Sequence, residues 1–431
     1  MPRHGSITHR GSLPLPSCPV GGAAALRGAA FDRQDSGAVW EELREQRGQV
    51  VPVELDGGAR AWLLLGYNEN LHALSSPALY ACDRGAGEDR PDPGPVPDAL
   101  RTDGQEHARL RAPIVDAFKQ LTGLRLRGDV ERAANELVDG FAEAGSADLV
   151  EQFAVRLPLR VVTRLLGAAD ERAEHLARLV VELGDPPAAE RAGQQLAEEL
   201  RAVVTAKREQ PAADVTSWLL EHSAELTDEE AVQQLLLVLT AAHEPTANLV
   251  GNALHALLTD RGVRQELASG QVTPQEAVDQ VLWRDPPLHA LPHRVATRDL
   301  TLAGAPVRAG DLLVLGIAAA NTDPALGAGG EHSNQAHLSW GAGPHRCPAR
   351  DLARTITSAG VDTLITRLQP VRLAVGREEL RWIPSPFARG LRALPVRFEP
   401  EPPSGGDPAW PDGDGQPHPS WNPLTWWRRG R

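Results

Sequence analysis

The longest apolar run in the chain, "LTDEEAVQQLLLVLTAAHEPTANLVGNALHALLTD", covers residues 226–260 and is polar mainly at its start. Thr227 followed three positions later by Glu230 is a capping box, which fixes where a helix begins. Leu235, Leu236, Leu237 and Leu239 fall on more than one face, so this helix is expected to be surrounded by protein. Shorter patterns of 3.6-residue period predict helices over 36–47, 104–120, 129–145, 150–168, 170–183, 189–207 and 274–283. Strand signals are few. "QVVPVEL" and "AWLLLG" read as a hairpin about Asp56–Gly58, and "LTLAGAPVRAGDLLVLGI" as a second set of short strands. No repeat occurs, and the pattern as a whole predicts a mainly α protein with small β-sheets, one large domain over about 30–397.

Composition refines this picture at its edges. A chain of 431 residues that is 42% hydrophobic can bury a substantial core. Residues 1–29 are rich in Gly, Pro, Ser and His and read as a flexible leader. From 398 to 431 prolines recur and no helix can persist, so a disordered tail is expected. That tail nevertheless carries Trp410, Trp421, Trp426 and Trp427, then Arg428, Arg429 and Arg431. It is either a docking segment for a protein or a membrane surface, or a strap folded back on its own domain. A formal charge of −13 with no basic block argues against nucleic acid as a partner. The start has no apolar h-region and no stretch is long enough to span a bilayer, which points to the cytoplasm. Cys18, Cys82 and Cys347 are too few and too scattered for a disulfide framework.

Chemistry concentrates in "WGAGPHRCPARDLAR", residues 340–354. Gly341 and Gly343 allow backbone angles closed to other residues, Pro344 stiffens the turn, and the small side chains let a flat group approach the main chain. Cys347 comes just before a predicted helix, with Pro348 in its first turn, where unpaired N–H groups stabilise a thiolate. Such a sulfur is either a metal ligand or a buried structural cysteine. His345-x-Cys347 also looks like half of a zinc site, but no second cysteine pair completes it.

This loop resembles the haem-ligand loop of the cytochrome P-450 family, Phe-Gly-x-Gly-x-His/Arg-x-Cys-x-Gly. Trp340 stands in the place of the Phe and Ala349 in that of the last Gly. Three more segments match in the family's order: "DGQEHARLRAPIVDAF", "LTAAHEPTANLVGNAL" and "HRVATRDLTLAGAPVRAGDLLVLGIAAANTDP". Together they cover about residues 30–397, and the chain is identified as an atypical member of the bacterial soluble class. The resemblance implies a single haem-thiolate domain holding haem b (iron protoporphyrin IX), with Cys347 as the axial ligand to the metal. It implies that His107 and Arg111, four apart on one helix, pair with haem propionates together with Arg294 and His345. Ala241, Ala242, Trp340, Gly341 and Ala349 would lie against the haem. The implied activity is monooxygenation of a small hydrophobic molecule with electrons from a ferredoxin or similar donor, whose acidic surface Arg346, Arg350 and Arg354 would suit.

Two departures from the family bear on activity. The Glu-x-x-Arg motif is replaced by Gln280 and Trp283, where Trp283 can fill volume and Gln280 can hydrogen-bond. In the oxygen-activating segment Ala242 replaces a Gly, Glu244 keeps the acid, and Pro245 takes the Thr position. Proline supplies no hydroxyl and is expected to kink the helix. Thr246 points about 100° further round. Glu244 and Thr246 are therefore the candidate catalytic residues. Besides monooxygenation, two alternatives follow: a peroxide-using or otherwise atypical haem-thiolate enzyme, and a non-catalytic haem-binding partner or regulatory protein. Segments 90–104 and 165–190 are expected to form a lid.

Overall fold

The computed structural model describes residues 23–31, 37–55, 58–82, 96–121, 123–327 and 334–402. Among them, the first helices in chain order are α1 (Gly37–Arg47), α2 (Tyr67–Ser75), α3 (Gly104–Lys119), α4 (Gly123–Asp139), α5 (Arg156–Leu165) and α6 (Asp170–Glu182). There follow α7 (Ala189–Glu209), α8 (Val215–Leu220), α9 (Asp228–Thr259), α10 (Arg261–Ala268), α11 (Pro274–Arg284), α12 (Ile317–Asn321) and α13 (Arg350–Arg367).

Most of these sit where the apolar periodicity places them. Helix α4 begins and ends earlier than the expected 129–145, because 142–144 form a short turn and Ser146–Asp148 a strand. The expected 150–168 segment divides into a wide turn, Val150–Ala154, and α5. Helices α2, α8, α10 and α12 are too short to leave a clear period in the sequence.

Helix α9 has the capping box its sequence predicts: Glu230 N–H donates to Thr227 Oγ1 at 3.2 Å and Thr227 N–H to Glu230 Oε2 at 2.9 Å. Leu235, Leu239, Val250 and Leu254 are fully buried, and α5, α7, α11 and α13 pack around the helix. It continues without interruption past Pro245 to Thr259. Pro245 therefore does not end the helix. One lost N–H is outweighed here by packing on several sides.

The strands are β1 (Ala24–Ala25), β2 (Val50–Glu54), β3 (Arg60–Leu64), β4 (Tyr80–Cys82), β5 (Ser146–Asp148) and β6 (Leu291–Ala296), then β7 (Leu300–Leu302), β8 (Ala305–Val307), β9 (Leu312–Leu315), β10 (Arg372–Leu373) and β11 (Pro395–Arg397). β7 and β8 pair as a separate two-stranded sheet, while the expected hairpin, β2-β3, and the last strand of the second set, β9, join one six-stranded sheet ordered β1-β2-β3-β9-β6-β4. Strands β3 and β9 pair in parallel at its centre, and β9 is buried throughout, in keeping with its unbroken "LLVL". At the sheet edge β4 runs antiparallel to β6, which sets Cys82 opposite Arg294.

The packed chain starts ahead of the expected boundary at residue 30. β1 pairs with β2, and Leu26 and Phe31 are buried. At the other end Phe398 meets Phe141 edge-on at 6.0 Å, and Glu401 N–H donates to the Ala142 carbonyl. The Trp-rich stretch from 403 onward and residues 1–22 lie outside the described residues.

One buried polar cluster ties Phe31 and the segment around Arg389 to the wall of the central cavity. Arg389, 1% exposed, donates from Nε to Asp285 Oδ1 at 2.9 Å, and His289 Nε2 stands 3.2 Å from the same oxygen. Arg389 also stacks over Trp382 at 3.4 Å and donates to the Phe31 carbonyl. Pro287, Leu288, Ala290 and Phe387, flanking this cluster, line the cavity. Arg389→Met leaves the Asp285 carboxylate without its cation and is expected to lower the unfolding free energy by about 3 kcal/mol. Urea denaturation checks this, with Arg389→Lys recovering part of the loss.

Candidate active site

The cysteine loop is shaped by its glycines. After the turn Leu338–Trp340, Gly341 and Gly343 adopt φ of +66° and +65°. A side chain on Gly343 would collide with the Leu74 carbonyl oxygen, so only glycine lets the loop rest on the end of α2. Cys347 N–H donates to the Trp340 carbonyl at 2.8 Å and closes the loop on itself. Helix α13 begins at Arg350, so Pro348 and Ala349 precede it rather than forming its first turn. Burial pushes the Cys347 thiol up, while the Ala349 N–H and the charges of Arg111, Arg346 and Arg350 favour the thiolate.

This loop forms one wall of a cavity of about 380 Å³. Trp340, Gly341, His345, Cys347 and Ala349 line it from the loop; Ala241, Ala242, Glu244 and Thr246 line it from α9. Arg111 of α3 and Arg294 of β6 line it as well. The structure thus brings together every candidate site residue except His107, which stands one layer back. His107 is buried and stacks on His345, with ring centroids 3.9 Å apart and planes 26° from parallel.

Four basic side chains therefore converge at one end of the cavity. Arg111 donates to the Arg346 carbonyl and faces Cys347. Burial, then the charges of Arg294 and His107, push His345 down to about 4, and burial with Arg111 lowers His107. The buried His107 Nε2 has no partner among the described residues. An unsatisfied buried nitrogen beside two guanidinium groups is suited to a carboxylate. A sulfur on the wall, an apolar interior and a basic end with an open donor position together fit a haem, whose two propionates would take that end.

Glu244 is the acid within the same cavity. Burial pushes its carboxyl up to about 8, an effect only partly offset by Asn248, and Oε1 has no partner. It is therefore protonated at neutral pH, with a proton to give. Pro245 and Thr246 line the cavity beside it.

Behind the loop, the missing Glu-x-x-Arg motif is replaced as the sequence suggests. Trp283 fills the site, donating from Nε1 to the Asn334 carbonyl at 2.7 Å and meeting His337 edge-on at 5.5 Å. Gln280 is buried and donates to Glu266 at 3.5 Å. A charged pair that the sequence reading missed stands one position away. Asp279 accepts two bonds from Arg354, at 2.9 and 2.7 Å, clamping α11 to α13. Arg354 is therefore committed to the interior rather than to an electron donor. Arg350 is partly engaged with Asp351, and Arg346 remains exposed.

On the remaining wall stand Ala99 and Leu100, from the expected 90–104 segment, and Val180 and Leu183, from 165–190; residues 90–95 lie outside the described residues. Cys82 and Asp103 flank His345 and were also missed. Their separation from it, 263 and 242 positions, leaves no local signal.

No family model matches the chain. Individual relatives do. Cytochrome P450-SU2 of Streptomyces griseolus is 31% identical over 365 residues, covering 81% of this chain and 90% of the relative. The vitamin D(3) 25-hydroxylase of Pseudonocardia autotrophica is 31% identical over 356 residues, 79% of this chain and 88% of the relative. Among solved structures, a mutant of the mixed-function P450 MycG in complex with mycinamicin IV superposes with a TM-score of 0.78 at 28% identity. It covers 88% of this chain and 100% of that one. A sulfur-bearing loop, an acid-bearing helix and a basic end around one cavity, within a fold and sequence shared with these proteins, place the chain in the cytochrome P450 family of haem-dependent monooxygenases.

Proposed function

We propose that the protein oxidises a small hydrophobic organic substrate, with haem b seated on Cys347 and electrons from a ferredoxin-type donor. The observation that carries this reading is that Cys347, Glu244 and Thr246 all line one cavity whose remaining lining is largely apolar. A haem iron held by a thiolate supplies reductive activation of dioxygen. The residues of this chain supply the rest. The Cys347 sulfur, assisted by the Ala349 N–H and by Arg111, Arg346 and Arg350, is the ligand. Arg111 and Arg294 neutralise the two propionate carboxylates, and His107 and His345 offer them hydrogen bonds. Glu244 holds a proton at its carboxyl, and Thr246 offers a hydroxyl on the same wall. Side chains such as Ile114, Phe118, Val180 and Leu183 exclude water and bind apolar surface. Exposed Arg346 marks the approach of an acidic donor.

Pro245 favours a second reading. Without a hydroxyl at that position, proton delivery rests on Glu244 and its neighbours, and hydrogen peroxide could replace dioxygen and the donor. Turnover of a hydrophobic substrate panel with a ferredoxin system and with peroxide separates the two. The first reading expects product with the reductive system and at least tenfold less with peroxide alone; the reverse ratio would overturn it. Pro245→Thr is expected to raise the product formed per electron consumed, measured as NAD(P)H against product.

Glu244 gives a prediction with a definite sign. Its proton leaves near 4.5 in the unfolded chain and near 8 in the folded one. The folded state therefore binds more protons between those values, and stability falls as pH rises through that window. Glu244→Gln removes this dependence. Its melting temperature relative to wild type should rise from pH 5 to about pH 8 and then level off, while product formation in the reductive system falls. A constant offset in melting temperature across that range would show that the carboxyl is not held protonated.

A further inference from the structure

A second cluster of ligating atoms lies outside the groups used above, apart from His345. Cys82 at the end of β4 is buried. Asp103 occupies the residue before α3 yet makes no side-chain bond to its own helix. Instead Asp103 Oδ2 accepts the Cys82 N–H at 2.8 Å, and Oδ1 stands 3.2 Å from His345 Nε2. Cys82 Sγ lies 3.5 Å from that same nitrogen. The Cys82 thiol also hydrogen-bonds the Asp103 carboxylate. Three different donor atoms thus face one another within 4.8 Å.

We propose that Cys82, Asp103 and His345 form a site for a thiophilic divalent cation of the zinc class, with the fourth position open to water. The separations suit it. Tetrahedral zinc with a sulfur at about 2.3 Å and nitrogen and oxygen at about 2.0 Å sets S···N near 3.5 Å and N···O near 3.3 Å. The pairs here stand at 3.5 and 3.2 Å. Ligand chemistry agrees: one soft thiolate, one imidazole and one carboxylate is a zinc set, whereas calcium and magnesium take oxygen. Arg294 Nη1 donates to Cys82 Sγ at 3.1 Å, which stabilises the thiolate form and orients the sulfur, as an outer-shell donor does in a metal centre. Burial and the Asp103 carboxylate push this thiol up, to about 11 overall, against the charge of Arg294, so a bound cation displaces its proton. No metal-ligand motif announces the site in sequence, because the three residues come from three distant segments.

The test uses the full chain as isolated, stripped with a chelator and dialysed against zinc. One zinc per chain is expected, with an X-ray absorption shell containing one sulfur near 2.3 Å. Cys82→Ser should weaken binding at least tenfold and remove the sulfur from that shell, while Asp103→Asn should weaken it less. Cys347→Ala should leave both stoichiometry and sulfur shell unchanged, which separates this site from the haem ligand and keeps the outcome independent of haem chemistry. A shell of nitrogen and oxygen only, no stoichiometric binding, or a sulfur signal lost with Cys347 rather than Cys82 would each overturn the assignment.

Discussion

The site depends on a short backbone constraint, the closure of the 340–347 loop by the Cys347 N–H on the Trp340 carbonyl. Two glycines at positive φ make the closure possible, and the absence of a side chain on Gly343 lets the loop lie against the end of α2. A larger residue there would push the loop away from the helix and move the sulfur with it. The second support lies behind the loop. Asp279 and Arg354 join α11 to α13 with a bidentate pair, and Trp283 packs against His337 in place of a second charged cluster. A pair of this kind is valuable for geometry rather than for net stability, since both charges lose water to form it. Directional bonds hold the sulfur in place on one side, and ring packing holds it on the other.

Electrostatics divide the cavity in two. At one end Arg111 and Arg294 concentrate positive charge, while burial favours the neutral form of His107 and His345 beside them. On the α9 wall of the cavity the acid, Glu244, is also held in its neutral form by burial. The cavity therefore presents cations only where carboxylates are to be received, and elsewhere an almost uncharged wall suited to an apolar substrate. This division follows from where the chain brings its segments together, not from overall charge, which is −13. A strongly acidic protein has built a local basic pocket at the meeting of α3, β6 and the cysteine loop.

How much of this was legible in the sequence differs by feature. The long helix α9 could be read directly, because its capping box and continuous apolar run are local facts. The cysteine loop was legible as well, since glycine spacing, proline and cysteine occur within a few positions. Pairing between strands was not. Nothing local says that β9 pairs in parallel with β3, and so the two strand sets were read as separate. Helix α9 runs on through Pro245 because propensity describes an isolated helix, whereas this one is packed against several others. Arg354 was assigned to the surface from its place near Cys347; its partner Asp279 lies 75 positions away, out of reach of any local pattern. Cys82 and Asp103 were missed for the same reason, and their role emerges only from the register that sets β4 beside β6.

The account stands or falls on the Cys347 sulfur as the ligand of a haem iron. The most direct measurement is the carbon monoxide difference spectrum of the dithionite-reduced protein, recorded for wild type and Cys347→Ala with haem content measured in parallel. A strongly red-shifted Soret band in wild type, lost in the variant, is the result expected. A haem-loaded wild type without that band, or a variant that keeps it, would contradict thiolate ligation by this residue.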